Sequence, residues 1–137
     1  MQNLLEGPYY TRTSAYFLRY HFILTVKGRQ KVLDGDVKLK LEEIIKSLAN
    51  QLELKLIELD IMPDYVHLLV DASPKNSISS ILKGLKGVSV EIILKDFPEL
   101  KQQLSGGHLW HPGYLAISDN PHCSKMIQDY LNSKKVR

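Results

Sequence analysis

Tyr65 and His67 stand two apart in the stretch Asp60–Asp71, DIMPDYVHLLVD. The run is short, with aromatic and β-branched residues, and reads as a strand on which alternate side chains share a face. Two imidazoles so placed make a metal-binding pair. Here the first place is a phenol, which is a poor ligand for magnesium and larger than imidazole. His67 alone reads as a ligand or as an ordinary strand histidine; its nitrogen suits manganese or zinc, and tolerates magnesium where oxygens complete the shell. A second pair is Tyr130 and Lys134, one helical turn apart and so on one helical face. A phenolate is a competent covalent nucleophile, but its free pKa of about 10 calls for a base or a cation nearby. Cys123 and Ile127 share that face, so Tyr130 reads also as a packed aromatic.

The elements that must position these residues follow from periodicity and punctuation. Tyr16–Val26 (YFLRYHFILTV) is a first strand, after a loose arm over Met1–Thr13 containing Gly7-Pro8. Lys27–Lys31 is a turn centred on Gly28. Asp34 or Asp36 caps a helix to about Leu52, with Val37, Leu41, Ile44, Ile45, Leu48 and Leu52 on its apolar stripe. Leu54–Ile61 is a strand, Met62-Pro63-Asp64 a tight turn, and Tyr65–Val70 the returning hairpin partner. A long helix covers Ile78–Asp96, a short one Pro98–Leu104, and a last strand Tyr114–Ile117. Asn120-Pro121 opens a final helix to about Ser133. The order β-α-β-β-α-β-α predicts an α+β, ferredoxin-like domain: an antiparallel sheet with helices on one face, plus a C-terminal helix carrying Tyr130.

The chain has 137 residues, 44% hydrophobic and 24% charged, which predicts one globular domain over 1–137 and argues against disorder. No apolar run reaches the ~18 residues of a membrane span. One cysteine, Cys123, cannot make an internal disulfide, and a cytoplasmic location is expected. The net charge of +3 permits a nucleic-acid partner without demanding one. Its clusters are Lys27, Arg29 and Lys31 in one turn, Lys83 and Lys86 on one helix, and Lys134, Lys135 and Arg137 at the end. Each is a phosphate footprint or plain solvated surface.

Several segments together carry a resemblance. Tyr20-His21, Lys27–Leu33 (KGRQKVL), Met62–Val70 (MPDYVHLLV), Leu82–Gly87 (LKGLKG), Phe97–Leu100 (FPEL), Leu109–Tyr114 (LWHPGY) and Ile127–Lys134 (IQDYLNSK) occur in this order. From Phe17 to Lys134 the chain resembles the single-tyrosine, TnpA-type transposases of small bacterial and archaeal insertion sequences, members of the HUH nuclease superfamily. The resemblance implies a homodimer that binds hairpins in single-stranded DNA, then cleaves and rejoins the strand. It implies Tyr130 as the nucleophile, which becomes linked to a 5′ phosphate and frees a 3′ hydroxyl. It also implies Mg2+ or Mn2+ held by two histidines and a glutamine.

Only His67 of those metal ligands matches. Tyr65 replaces the first histidine and Lys134 the glutamine; a protonated ammonium cannot bind a metal. Asp60, Asp64 and His111 are candidate substitutes, with Asp64 expected on the opposite face from Tyr65. Lys27, Arg29, Lys31, Lys83, Lys86 and Lys134 are candidate DNA phosphate contacts, and the Lys134 charge is a candidate stand-in for the metal. Three readings therefore remain: an active strand transferase, a relative that binds hairpins but cleaves poorly, and a ferredoxin-like binding domain with no DNA partner.

Overall fold

The computed structural model describes residues 7–133. Tyr9–Tyr10 (β1) pairs antiparallel with Ala15–Tyr16 (β2). This departs from a loose arm running through Thr13. The Thr11 hydroxyl accepts the N–H groups of Thr13 and Ser14 and so closes the turn, while the Tyr9 and Tyr16 rings stack 5.6 Å apart. Met1–Glu6, the rest of that expected arm, lie outside the described residues. The other elements fall within a few residues of the expected bounds. They are Leu18–Thr25 (β3), Gly35–Gln51 (α1), Lys55–Met62 (β4), Tyr65–Ala72 (β5), Ile78–Asp96 (α2), Leu100–Gln103 (α3), Leu115–Ser118 (β6) and Cys123–Ser133 (α4). Helix α2 starts at a side-chain cap, where the Ser77 hydroxyl accepts the Ser80 N–H.

The sheet is antiparallel in the order β4-β5-β3-β6, the ferredoxin-like arrangement. One face lies under α1 and α2. Phe22 and Leu24 of β3, together with Val66, Leu68 and Val70 of β5, meet Leu41, Ile45, Ile81, Leu82 and Leu85 there in one buried core. Trp110 anchors the far end of that core, its indole N–H donating to the Ser89 hydroxyl at 2.9 Å. Alternation along β3 and β5 then sends Arg19, His21, Ile23, Tyr65, His67, Leu69 and Asp71 to the opposite face.

Strand β4 breaks its own alternation. Its pairing with β5 slips between Leu56 and Glu58, leaving Ile57 as an extra residue. An unbroken register would set Glu58 and Asp60 against the helices, because a one-residue slip exchanges the faces. With the bulge, Leu54 and Ile61 both stay in the core, and Asp60 comes opposite His67.

Beyond the helices' face, Arg19 and Asp71 form a buried two-pronged ion pair, with bonds of 2.6 and 2.9 Å. Tyr9 donates its hydroxyl to the same carboxylate and so ties the N-terminal ribbon to the sheet. Burial by itself pushes the Asp71 carboxyl up, but the bonds from Arg19 and Tyr9 outweigh it and hold the group below its ordinary value. A depressed carboxyl stabilises the fold above the unfolded value of about 4, and that contribution is lost as pH falls through the folded value. Asp71→Ala, which strands the Arg19 charge, is expected to cost about 3 kcal/mol in urea unfolding at pH 7. The double change Arg19→Met with Asp71→Leu should cost clearly less.

Candidate functional site

On the open face of the sheet the two histidines meet. His67 Nε2 lies 2.8 Å from His21 Nδ1, with the rings stacked 5.1 Å between centroids. The other nitrogen of His21, Nε2, lies 2.8 Å from Asp119 Oδ1, just past the end of β6. At the other end His67 Nδ1 is 3.7 Å from Asp60 Oδ2, the carboxylate that the β4 bulge brings round. A row Asp60–His67–His21–Asp119 thus crosses all four strands. Cys123, the first residue of α4, adds its sulfur 3.9 Å from Asp119 Oδ1.

Tyr130 belongs to a neighbouring group. Its hydroxyl and the His111 ring both border Gly113, where a Cβ would stand 3.9 and 3.4 Å from them. Lys86 builds that loop, donating to the carbonyls of His111, Pro112 and Gly113 at 2.9, 3.0 and 2.7 Å. Arg29 joins the β4–β5 hairpin to α4. It bonds Asp64 through Nε at 3.0 Å, donates to the Leu131 carbonyl at 2.7 Å, and sits 5.8 Å from the Tyr65 ring centroid. Gly28 and Arg29 both adopt positive φ, 70° and 53°, and this left-handed pair turns the side chain inward.

The sequence candidates therefore separate. Asp60 joins His67, whereas Asp64 is taken by Arg29, and His111 stands with Tyr130. Arg29 and Lys86 direct their charges into the protein; Lys31 and Lys83 are exposed, and Lys27 is half-buried. Lys134 lies outside the described residues. The residues that sequence reading left out of the site are His21, Asp119 and Cys123. Tyr20-His21 marked the family, but only strand pairing sets His21 beside His67, and only the β6–α4 turn brings Asp119 and Cys123 to it.

Burial shapes the ionisation of these groups. It pushes the Tyr130 phenol above its ordinary value, opposed by the Arg29 charge. It lowers Lys86. His67 is lowered first by burial and then by His21, with Asp60 and Glu58 pulling the other way. At neutral pH His67 is therefore an uncharged imidazole and Tyr130 a phenol.

The magnesium or manganese position implied by the resemblance does not fit the side chains around it. His67 has Nε2 engaged by His21. Tyr65 offers a phenol in place of an imidazole, with the Arg29 guanidinium near its ring, where a dication would be repelled. A different donor set exists: His21, Asp119 and Cys123 place one ligand atom each within 4.8 Å of one another.

The fold is a ferredoxin-like α+β domain whose last helix carries Tyr130. Residues 14–134 match the family described as "Transposase IS200 like", and the chain belongs to that family. It is 39% identical over 123 residues to the ISDra2 transposase TnpA of Deinococcus radiodurans, covering 90% of this chain and 88% of that one. It is 27% identical over 113 residues to the IS200 transposase of Salmonella typhimurium, covering 82% of this chain and 74% of that one. A crystal structure of a candidate transposase from Deinococcus radiodurans R1 superposes with a TM-score of 0.88 at 38% identity, covering 94% of this chain and 99% of that one. A REP-associated tyrosine transposase bound to a REP hairpin superposes at 0.55 with 11% identity, over 93% of this chain and 76% of that one, a likeness of fold alone.

Two outcomes follow from this geometry. Lys86→Met leaves three carbonyls without their donor and should cost about 2 kcal/mol in thermal unfolding. A histidine held below its unfolded value of about 6.5 stabilises the fold above that pH, and the contribution declines as pH falls toward the folded value. The urea midpoint of metal-free protein should therefore be lower at pH 5.5 than at pH 7.5, and His67→Gln should narrow the gap.

Proposed function

We propose that this transposase-family chain binds hairpin-forming single-stranded DNA at the ends of an insertion sequence as a homodimer. Tyr130 is its nucleophile. The phenol oxygen attacks the backbone phosphorus, the bond to the 3′ oxygen breaks, and a 5′-phosphotyrosine and a 3′ hydroxyl result. In this chain hairpin binding is the stronger activity and cleavage is slow. The observation that carries the reading is Tyr65, which stands in the metal-binding pair beside Arg29. The buried Tyr130 hydroxyl supports it, since a phenol pushed upward is a weaker nucleophile near pH 7.

An efficient enzyme is the second reading, favoured by the retention of Tyr130 and His67. A magnesium or manganese ion does not fit the side chains around Tyr65 and His67, so a positive charge at the phosphate has to come from elsewhere. The Lys134 ammonium is a proposed source of that charge; unchanged DNA affinity and cleavage in Lys134→Ala would remove it from the account.

The test uses a labelled single strand bearing a hairpin, with manganese, read as a protein–DNA adduct on a denaturing gel. Retention of the same strand at low salt reports binding. Retention with little or no adduct is expected, and a rapid, stoichiometric adduct would establish the second reading instead. Tyr65→His combined with Lys134→Gln should raise the adduct yield, and Tyr130→Phe should abolish it while leaving binding intact. If the protein fails to retain the strand even at low salt, the DNA reading itself is wrong. Lys27, Lys31 and Lys83 are the proposed phosphate contacts. Replacing all three by alanine should flatten the salt dependence of binding by about 2 in log–log slope, at about 0.7 per contact.

A further inference from the structure

We infer that His21 Nε2, a carboxylate oxygen of Asp119 and the Cys123 sulfur form a site for a zinc-class divalent ion. The site is separate from the position the family resemblance implies for magnesium or manganese, and it stands whether or not the chain cleaves DNA. One imidazole, one carboxylate and one thiolate make a borderline-soft donor set that favours zinc over magnesium. In a tetrahedral zinc shell, bonds of about 2.0–2.3 Å set ligand atoms roughly 3.3–3.8 Å apart. Two of the three spacings bracket this, 2.8 Å from His21 Nε2 to Asp119 Oδ1 and 3.9 Å from Cys123 Sγ to the same oxygen, and all three ligand atoms lie within 4.8 Å of one another. The Asp119 side chain is 47% exposed, which gives the ion an entry path and leaves room for water as fourth ligand.

Two further contacts hold the ligands in orientation. The Asn120 N–H points at the sulfur from 3.1 Å, a bond that a metal-bound thiolate retains. His21 Nδ1 faces His67 Nε2, an outer partner of the kind that fixes a ligating histidine. Without an ion, the Asp119 carboxylate accepts from His21 Nε2, and one proton lies between His21 Nδ1 and His67 Nε2. An ion on His21 Nε2 fixes the direction of the row. His21 then donates from Nδ1 to His67 Nε2, and His67 donates from Nδ1 toward Asp60. The His67 Nε2 lone pair is thereby withdrawn from any second metal.

The ion would join the start of α4 to β3 and to the end of β6. Tyr130 lies seven residues farther along α4, about 10 Å at 1.5 Å per residue. The ion would therefore pin the first residue of the tyrosine-bearing helix to the sheet.

Cobalt(II) is the probe. The full chain, reduced and stripped with a chelator, is titrated and followed by absorption. One equivalent should bind, with a thiolate-to-cobalt charge-transfer band and visible tetrahedral bands, both displaced by zinc but not by a thousandfold excess of magnesium. The chain has one cysteine, so the band reports Cys123 alone. Cys123→Ser should lose the band, and Asp119→Asn and His21→Gln should weaken binding at least tenfold. His67→Gln and Tyr130→Phe should keep the band. No band in the wild-type chain, a band that survives Cys123→Ser, or binding lost with His67→Gln but kept with His21→Gln would each overturn the site.

Discussion

The arrangement of the open face depends on one guanidinium. Arg29 holds the turn after β3, the β4–β5 hairpin through Asp64, and the last turn of α4 through the Leu131 carbonyl. Those segments are far apart in sequence. Charge-assisted bonds of this kind are short and directional, so they fix orientation where hydrophobic contact would only fix proximity. The inward aim requires the left-handed backbone at Gly28 and Arg29. A side chain that reads as a surface cation in a basic turn is thus the link between the β4–β5 hairpin and the tyrosine-bearing helix.

Around that link the surroundings favour uncharged forms. His67 and Lys86 are lowered and Tyr130 is raised, all with burial as the leading cause. Lys31 and Lys83, by contrast, are exposed.

Much of the fold was legible. The stripe on α2, the aromatic and β-branched run of β3 and the Met62-Pro63-Asp64 turn specify local structure strongly, and the order of elements leaves few topologies. The ribbon at Tyr9–Tyr16 was not legible, because its stability comes from a hydroxyl bond to Asp71 across the sheet. Tyr65, His67 and Tyr130 were visible as chemistry. His21, Asp119 and Cys123 were not, since each lies on a different element and has meaning only in pairing. Lys86 and Arg29 were legible as charge but not as direction: a sequence shows that a cation exists, not that three carbonyls converge on it.

The extra residue at Ile57 has a consequence for assembly. β4 is an outer strand of the sheet, and such strands expose unpaired backbone groups that invite another chain. The bulge interrupts the even ladder there, leaving a regular run only from Glu58 to Met62, and the opposite border, β6, spans four residues. Neither border offers a long flat template. The irregularity that brings Asp60 opposite His67 therefore also makes β4 a poor template for indiscriminate edge-to-edge pairing.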